Sequence, residues 1–303
     1  MTINFTIFIQ NLLNGLMVGG LYALIAVGYT MVYGILGLIN FAFGDIMAMG
    51  IYFAYYGATL IRLNFPFAIA FSLITTAVLG ILIDRLAYKP LRNAPRISAL
   101  ITAIGVSFFI ESFAVVFFGP NYKPFLDVLE DKTIAFQSFI IGNVYIPKII
   151  FIILGVTAAA LVILFLIVYR TKIGMAMRAI SADIPTTSLM GINVDMVIGV
   201  TFAISSALAA LAGVMWALRY PSFYPYTGFV PGLKAFIAAV LGGIGSIGGA
   251  VLGGILLGVI EMMLITFFPT LMQYKDAFSF IILIIILLVK PAGLLGKRTV
   301  EKV

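Results

Sequence analysis

The sequence predicts an all-α fold, a polytopic membrane helix bundle of about nine transmembrane helices within a range of roughly eight to ten. Three observations predict it. The 303 residues are 63% hydrophobic and 10% charged, with mean hydropathy +1.20, against roughly a quarter charged in soluble domains. Apolar runs of spanning length follow one another with short polar breaks, and basic residues gather in alternate breaks, as the bias of cytoplasmic loops requires. Residues 1–303 form one transmembrane domain, with little sequence left for a soluble one.

The chain contains no cysteine and no histidine. That removes thiol nucleophiles, Cys or His metal ligands, haem ligation and the usual general base, so the sequence argues against an enzyme and against a bound metal. The net charge of +7 belongs to the loops and reads as topology, not as a nucleic-acid surface.

Residues Met1–Phe5 lack the basic residues of a secretory signal, so the apolar run behind them is expected to be a retained first span. That run, Ile7 to about Leu36, carries Asn11, Asn14 and five glycines. Small residues mark helix contacts in lipid, which predicts a helix inside the bundle. In Gly37–Gly50, Asn40, Gly44 and Asp45 interrupt the apolar pattern. They read either as a pathway or gate element or as an interfacial turn with Asp45 capping the next helix. Spans follow at about Ile46–Ile61 and Pro66–Ile83. The segment Asp84–Arg96 has four basic residues against one acid and belongs in the cytoplasm. The fourth span, Ile97–Phe118, holds Glu111. Gly119–Lys148 has balanced charge, including Glu130, Asp131 and Lys132, and is placed outside.

After the fifth span, Ile149–Val168, comes Tyr169–Ile192, where polar and charged residues gather. Asp183 as N-cap, Pro185 in a first turn and Gly191 past a helix end predict a helix of about two turns lying along the cytoplasmic surface. The sixth span, about Met196–Leu218, ends in the Pro- and Tyr-rich lip Arg219–Gly232. Next comes the glycine-crowded run Leu233–Phe268, then Phe278–Val289 and a basic tail, Lys290–Lys302. Alternation puts the N-terminus outside and the C-terminus in the cytoplasm.

Gly243–Gly248 spells G-I-G-S-I-G, but no βαβ unit surrounds it, so it is not a dinucleotide fingerprint. Gly245, Gly249 and Gly253 at four-residue spacing predict close helix packing on one face. The alternative is a discontinuous helix that presents Gly243, Gly245 and Ser246 to a substrate. Gly293–Lys297 is too short for a P-loop, so ATP hydrolysis is expected elsewhere. Glu111 and Glu261 fall within spans with no intramembrane Lys or Arg assigned near them. They read as pathway or coupling groups, or as buried carboxyls bonded between helices.

Several blocks together resemble the LivH-type permease of branched-chain amino-acid ABC importers. They are Gly15–Gly20 with Tyr22-Ala23-Leu24, Y-G-I-L-G-L-I-N-F-A-F-G-D at Tyr33–Asp45, and G-M-A-M-R-A-I-S-A-D at Gly174–Asp183 leading to L-M-G-I at Leu189–Ile192. Further on come A-F-I-A-A-V-L-G-G-I-G-S-I-G-G-A at Ala235–Ala250 and K-P-A-G-L-L-G at Lys290–Gly296. The blocks run in the family's order along the whole chain. In two places the sequence departs from the pattern: Phe43 stands where the family commonly has histidine, and Pro185-Thr186-Thr187 replaces a more usual Glu/Ala-rich turn.

The resemblance implies a multi-pass subunit of the bacterial cytoplasmic (inner) membrane, in contact with lipid and without a cofactor of its own. A paralogous LivM-like permease would form the other half of the path. Two cytoplasmic LivG/LivF-like ATPase subunits would bind ATP and Mg, and a periplasmic or extracellular amino-acid-binding protein would deliver substrate. The ATPases would grip the loop at residues 170–192 through Gly174, Arg178, Ala179, Asp183 and Gly191. Asn40, Gly44, Asp45, Glu111, Gly243, Gly245, Ser246 and Glu261 are the candidates for the path. The rival readings are a urea or short-amide ABC permease, and a self-sufficient ion-coupled secondary transporter or channel using Glu111 or Glu261.

Overall fold

The computed structural model describes residues 5–37, 40–92, 94–129, 137–141, 144–290 and 292–296. The expectations placed on residues 1–4, on Glu130, Asp131 and Lys132, and on the tail from Lys297 lie outside the described residues.

Glycine placement decides what sits at the centre. Helix α1 (Phe5–Leu36) is the most enclosed element, with 94% of its most apolar stretch buried. It runs antiparallel to α10 (Ile247–Phe267), and small residues on both helices let the backbones touch. A Cβ on Gly19 would lie 2.8 Å from the Ile255 Cα, and one on Gly15 3.0 Å from the Val259 Cα. From the other side, Gly254 and Gly258 press onto Ala23 and Gly19. In hydrocarbon such contact supplies the dispersion energy that the hydrophobic effect supplies in water.

Around this pair pack α2 (Phe43–Thr59), which is mostly buried, and α8 (Val194–Arg219). Outside them lie α3 (Phe65–Ile83), α4 (Arg96–Phe118) and α5 (Lys148–Arg170), each only about a quarter buried and lined with exposed Ile, Leu, Phe and Val. Apolar surface left uncovered over a whole span is what lipid solvates. Among the described residues, seven helices are long and apolar enough to cross a membrane. Phe43–Thr59 and α9 (Phe229–Gly242) are shorter.

Four local results sharpen the predicted elements. The segment after α3 is not a plain loop: it continues as a π-helix over Asp84–Tyr88 and a 3₁₀ turn over Lys89–Leu91. The polar stretch after α4 carries β1 (Lys123–Pro124), then β2 (Ser138–Ile141) paired with β3 (Val144–Pro147). Strand β1 pairs antiparallel with β4 (Ser222–Phe223), which fastens that stretch to the lip after α8. The run from Leu233 to Phe268 is two helices, broken where Gly243 (φ 107°) and Gly245 (φ 92°) adopt left-handed backbone, with Ser246 accepting from the Gly249 amide to start α10. Gly245 therefore lies in the break and not on a helical face, while Gly249 and Gly253 do press onto Gly242 and Ala238. The last helix, α11 (Lys275–Val289), begins earlier than the apolar run and is preceded by a 3₁₀ segment, Pro269–Tyr274. After it, Leu294 and Leu295 donate their amides to the carbonyls of Leu241 and Gly242, both at 2.9 Å. These bonds satisfy acceptors that the end of α9 would otherwise leave open.

Candidate functional site

The stretch after α5 folds as two short helices, α6 (Lys172–Ala182) and α7 (Ile184–Leu189), and its capping chemistry explains both. Thr171 accepts from the Gly174 amide at 3.1 Å, and Gly174 packs directly on the carbonyls of Ile167 and Val168, so the chain turns sharply out of α5. Asp183 caps α7 by accepting from the Thr186 amide at 3.3 Å and from its hydroxyl at 2.5 Å. Those bonds hold the Asp183 carboxyl below the usual carboxylate range. Gly191 adopts φ 81° just past the helix end, where a side chain would be strained.

Gly174, Met177 and Ile180 face the bundle. Outward point Met175, Ile184, Leu189 and Met190, the last two 87% and 79% exposed. Arg178 is held 5.3 Å over the Tyr169 ring, and Ala179 is half-buried. The turn therefore carries exposed apolar side chains on a polar, capped backbone.

From this surface a line of polar contacts runs inward. Asn193 caps α8 by accepting from the Met196 amide. In the first turn of α8, Asp195 meets Lys89 at 2.6 Å and Arg92 at 2.5 Å. Arg92 also donates to both oxygens of the buried Asp84, at 2.9 and 3.1 Å. At the far end of the π-helix the Tyr88 hydroxyl donates to Asn40 Oδ1 at 2.8 Å, and the same oxygen accepts from the Ala42 amide at 3.1 Å. Asn40 thus fixes the start of α2.

There Phe43 packs on Tyr29, with ring centroids 4.8 Å apart, and Gly44 meets Gly228 and Gly232 at the start of α9. Asp45 does not cap α2, whose N-cap is Ala42. It is buried, and one of its oxygens accepts from Ser107 at 2.5 Å. Glu111, one turn beyond Ser107 on α4, is buried too. Asp45 Oδ1 and Asn40 Nδ2 have no hydrogen-bond partner among the described residues. Asn40, Gly44 and Asp45 therefore gather in one buried place, with Glu111 beside it, while Gly243, Gly245 and Ser246 form the helix break elsewhere in the bundle.

Glu261 belongs to a third place, one that corrects the sequence reading. It does have an intramembrane cation: Lys234 of α9, 3% exposed, meets Glu261 at 2.7 Å and Asp276 at 2.6 Å. Tyr22 of α1 donates to the other Glu261 oxygen at 3.0 Å and lies under the Lys234 ammonium, 5.7 Å from ring centroid to nitrogen. Above this cluster opens a cavity of about 250 Å³ lined by Trp216, Tyr220, Tyr224 and Tyr226. Burial pushes the phenols of Tyr220 and Tyr224 above their ordinary value, so both stay uncharged. Sequence reasoning missed Lys234 because it opens an apolar run. The available signal was a lone lysine preceding a lone glutamate across a glycine-rich helix break. Among the described residues no group of side chains is arranged to hold a metal ion.

Comparison with known proteins gives the family. Residues 11–287 match the family model for the branched-chain amino acid transport system permease component. The chain is 43% identical to the high-affinity branched-chain amino acid transport system permease protein BraD of Pseudomonas aeruginosa, over 98% of each chain. It is 40% identical to LivH, the corresponding protein of Escherichia coli, over the full length of both. A more distant similarity, 28% identity over 90% of this chain and 80% of the other, links it to the ribose import permease protein RbsC of Haemophilus influenzae. Among solved structures, PsaBC from Streptococcus pneumoniae in complex with Fab shares the fold, with a TM-score of 0.50 at 17% identity over 94% of this chain and 92% of that one.

Proposed function

This chain belongs to the family of branched-chain amino acid transport permease components, and from that premise we propose how it works. It is the permease subunit of an ABC importer, carrying branched-chain, hydrophobic amino acids across the bacterial inner membrane. Separate subunits hydrolyse the ATP. The full-length identity to BraD and LivH carries the substrate class. The exposed knob at Leu189 and Met190 on a capped turn is the single structural observation that supports coupling to a partner.

In this reading two ATPase subunits dock on α6 and α7, a LivM-like permease supplies the other half of the path, and an external binding protein delivers the substrate. The N-terminus lies outside and the C-terminus in the cytoplasm. Closure of the ATPases displaces α7, and Asp195, five residues beyond Met190, moves with it. The displacement passes through Arg92 and Asp84 to the π-helix, then through Tyr88 to Asn40 and the start of α2. A π-helical turn suits such motion, because its extra residue can relax into a regular helix. ATP shifts the equilibrium only if these contacts differ between the two states.

The rival ion-coupled transporter needs free membrane carboxylates. Lys234 already neutralises Glu261, which leaves Asp45 and Glu111 to that reading. Purification of the tagged chain from its native membrane in mild detergent tests the proposal. Two ATPases and a second permease are expected to accompany it. A chain that purifies alone and moves solute in liposomes under an ion gradient contradicts the importer reading.

A further inference from the structure

The cavity above Glu261 has a floor that is already satisfied and a rim that is not. In the floor, Lys234, Glu261 and the Tyr22 hydroxyl use one another. At the rim stand Lys275 and Asp276, neighbours in the first turn of α11. Lys275 comes only to 3.7 Å from Glu261, and Asp276 is held through one oxygen by Lys234. Their side chains are 34% and 46% exposed. The cavity therefore offers one ammonium and one carboxylate side by side over a neutral floor, beneath walls of Trp216, Tyr224, Val230 and Pro231.

We propose that this cavity binds a free α-amino acid as its zwitterion, with the ligand carboxylate on Lys275, the ligand ammonium on Asp276 and an aliphatic side chain among Trp216, Tyr224 and Val230. The proposal rests on the permease reading and adds to it a place within this chain where substrate is held. Charge selects the ligand. A group bearing one charge would strip water from both rim residues and satisfy only one, and an uncharged amide or sugar would satisfy neither fully. Size agrees, since about 250 Å³ lies just below the roughly 300–1,000 Å³ of sites for drug-sized ligands. The aromatic walls supply apolar faces for the side chain and a polar edge for the backbone groups.

Trp216 is the single tryptophan of the chain, so its fluorescence reports the cavity directly. The full chain in lipid nanodiscs is titrated with L-leucine, with 4-methylpentanoate, which lacks the ammonium, and with isoamylamine, which lacks the carboxylate. A saturable Trp216 response to leucine is expected, with each analogue at least about tenfold weaker, the equivalent of one lost charged contact. Lys275→Gln and Asp276→Asn should each weaken leucine about tenfold. Lys275→Gln, which gives up only a 3.7 Å contact, should leave the melting temperature unchanged, while Asp276→Asn, which gives up a 2.6 Å contact to the buried Lys234, should lower it. A silent Trp216, equal responses to all three ligands, or unchanged leucine binding by both variants overturns the proposal. ATP-driven leucine uptake by the assembled transporter separates the two readings. If uptake persists while Trp216 stays silent, the cavity proposal fails and the permease reading stands. If the wild-type assembly moves no amino acid, the permease reading falls and the cavity proposal with it.

Discussion

Where α8 begins, the outer ionic contact is open. Lys89 and Asp195 are each about half exposed, and Arg92 reaches from Asp195 to the buried Asp84. Where α9 begins, Lys234 and Glu261 are almost wholly enclosed and share their remaining valences with Tyr22 and Asp276. The first kind of pair is worth about 0–1 kcal/mol and can be exchanged for water. Losing one partner of the second kind strands a charge and costs about 3–5 kcal/mol. In the proposed importer the first set would be remade as an attached ATPase moves, while the second would stay fixed beneath the cavity.

The largest effect should come from breaking the fixed cluster. Lys234→Met leaves Glu261 with only Lys275, 3.7 Å away, and is expected to lower the stability of the purified chain by about 3–5 kcal/mol. The double variant Lys234→Met with Glu261→Gln should regain most of that loss, because no charge is then stranded. Thermal unfolding in detergent measures both, and a double variant no better than the single one breaks the contrast.

Next in size is Tyr88→Phe, which removes the hydroxyl that links the π-helix to Asn40. A buried acceptor losing one donor costs about 1–2 kcal/mol. The more telling readout is functional: uptake by the assembled transporter should fall several-fold more than its ATPase rate. Equal falls in both would make Tyr88 a packing residue only.

Asp195→Asn should change stability by less than about 1 kcal/mol yet reduce the amino acid moved per ATP hydrolysed, and added salt should mimic it in part by screening the exposed Lys89 contact. Unchanged coupling in both conditions would remove the open joint from the account. The smallest effect concerns pH. The carboxyl of Asp183 is held below its ordinary 3.8, so its cap is fully present above that value and is lost as pH falls through the lower folded value. Hydrogen exchange of the Thr186 amide should stay flat from neutral pH down to about 4 after correction for intrinsic rates, and an earlier loss would show the cap unformed.

The parts of this molecule legible in sequence were those written in consecutive residues. The ends of α7 followed from Asp183, Pro185 and Gly191, and the central position of α1 followed from its glycines. Facing was harder to read. In helices that are apolar all round, periodicity does not say which side meets protein and which meets lipid, so the pairing of Lys234 with Glu261 waited for the turn at Gly243–Ser246 to fold one helix against the other. The same holds for Tyr88 and Asn40, 48 residues apart: a π-helical turn gives no composition signal, and it alone aims that hydroxyl at the start of α2. Asp45 illustrates the ambiguity of a single carboxylate, since capping and burial have the same sequence signature and only Ser107, from another helix, decides between them.

The most direct test is the ratio of branched-chain amino acid taken up to ATP hydrolysed, in proteoliposomes of the assembled transporter carrying Ala179→Glu in α6. The account predicts a complex that still assembles and still hydrolyses ATP, with uptake per ATP reduced several-fold. Uptake per ATP equal to wild type, or leucine transport by the chain alone without ATP, would contradict it.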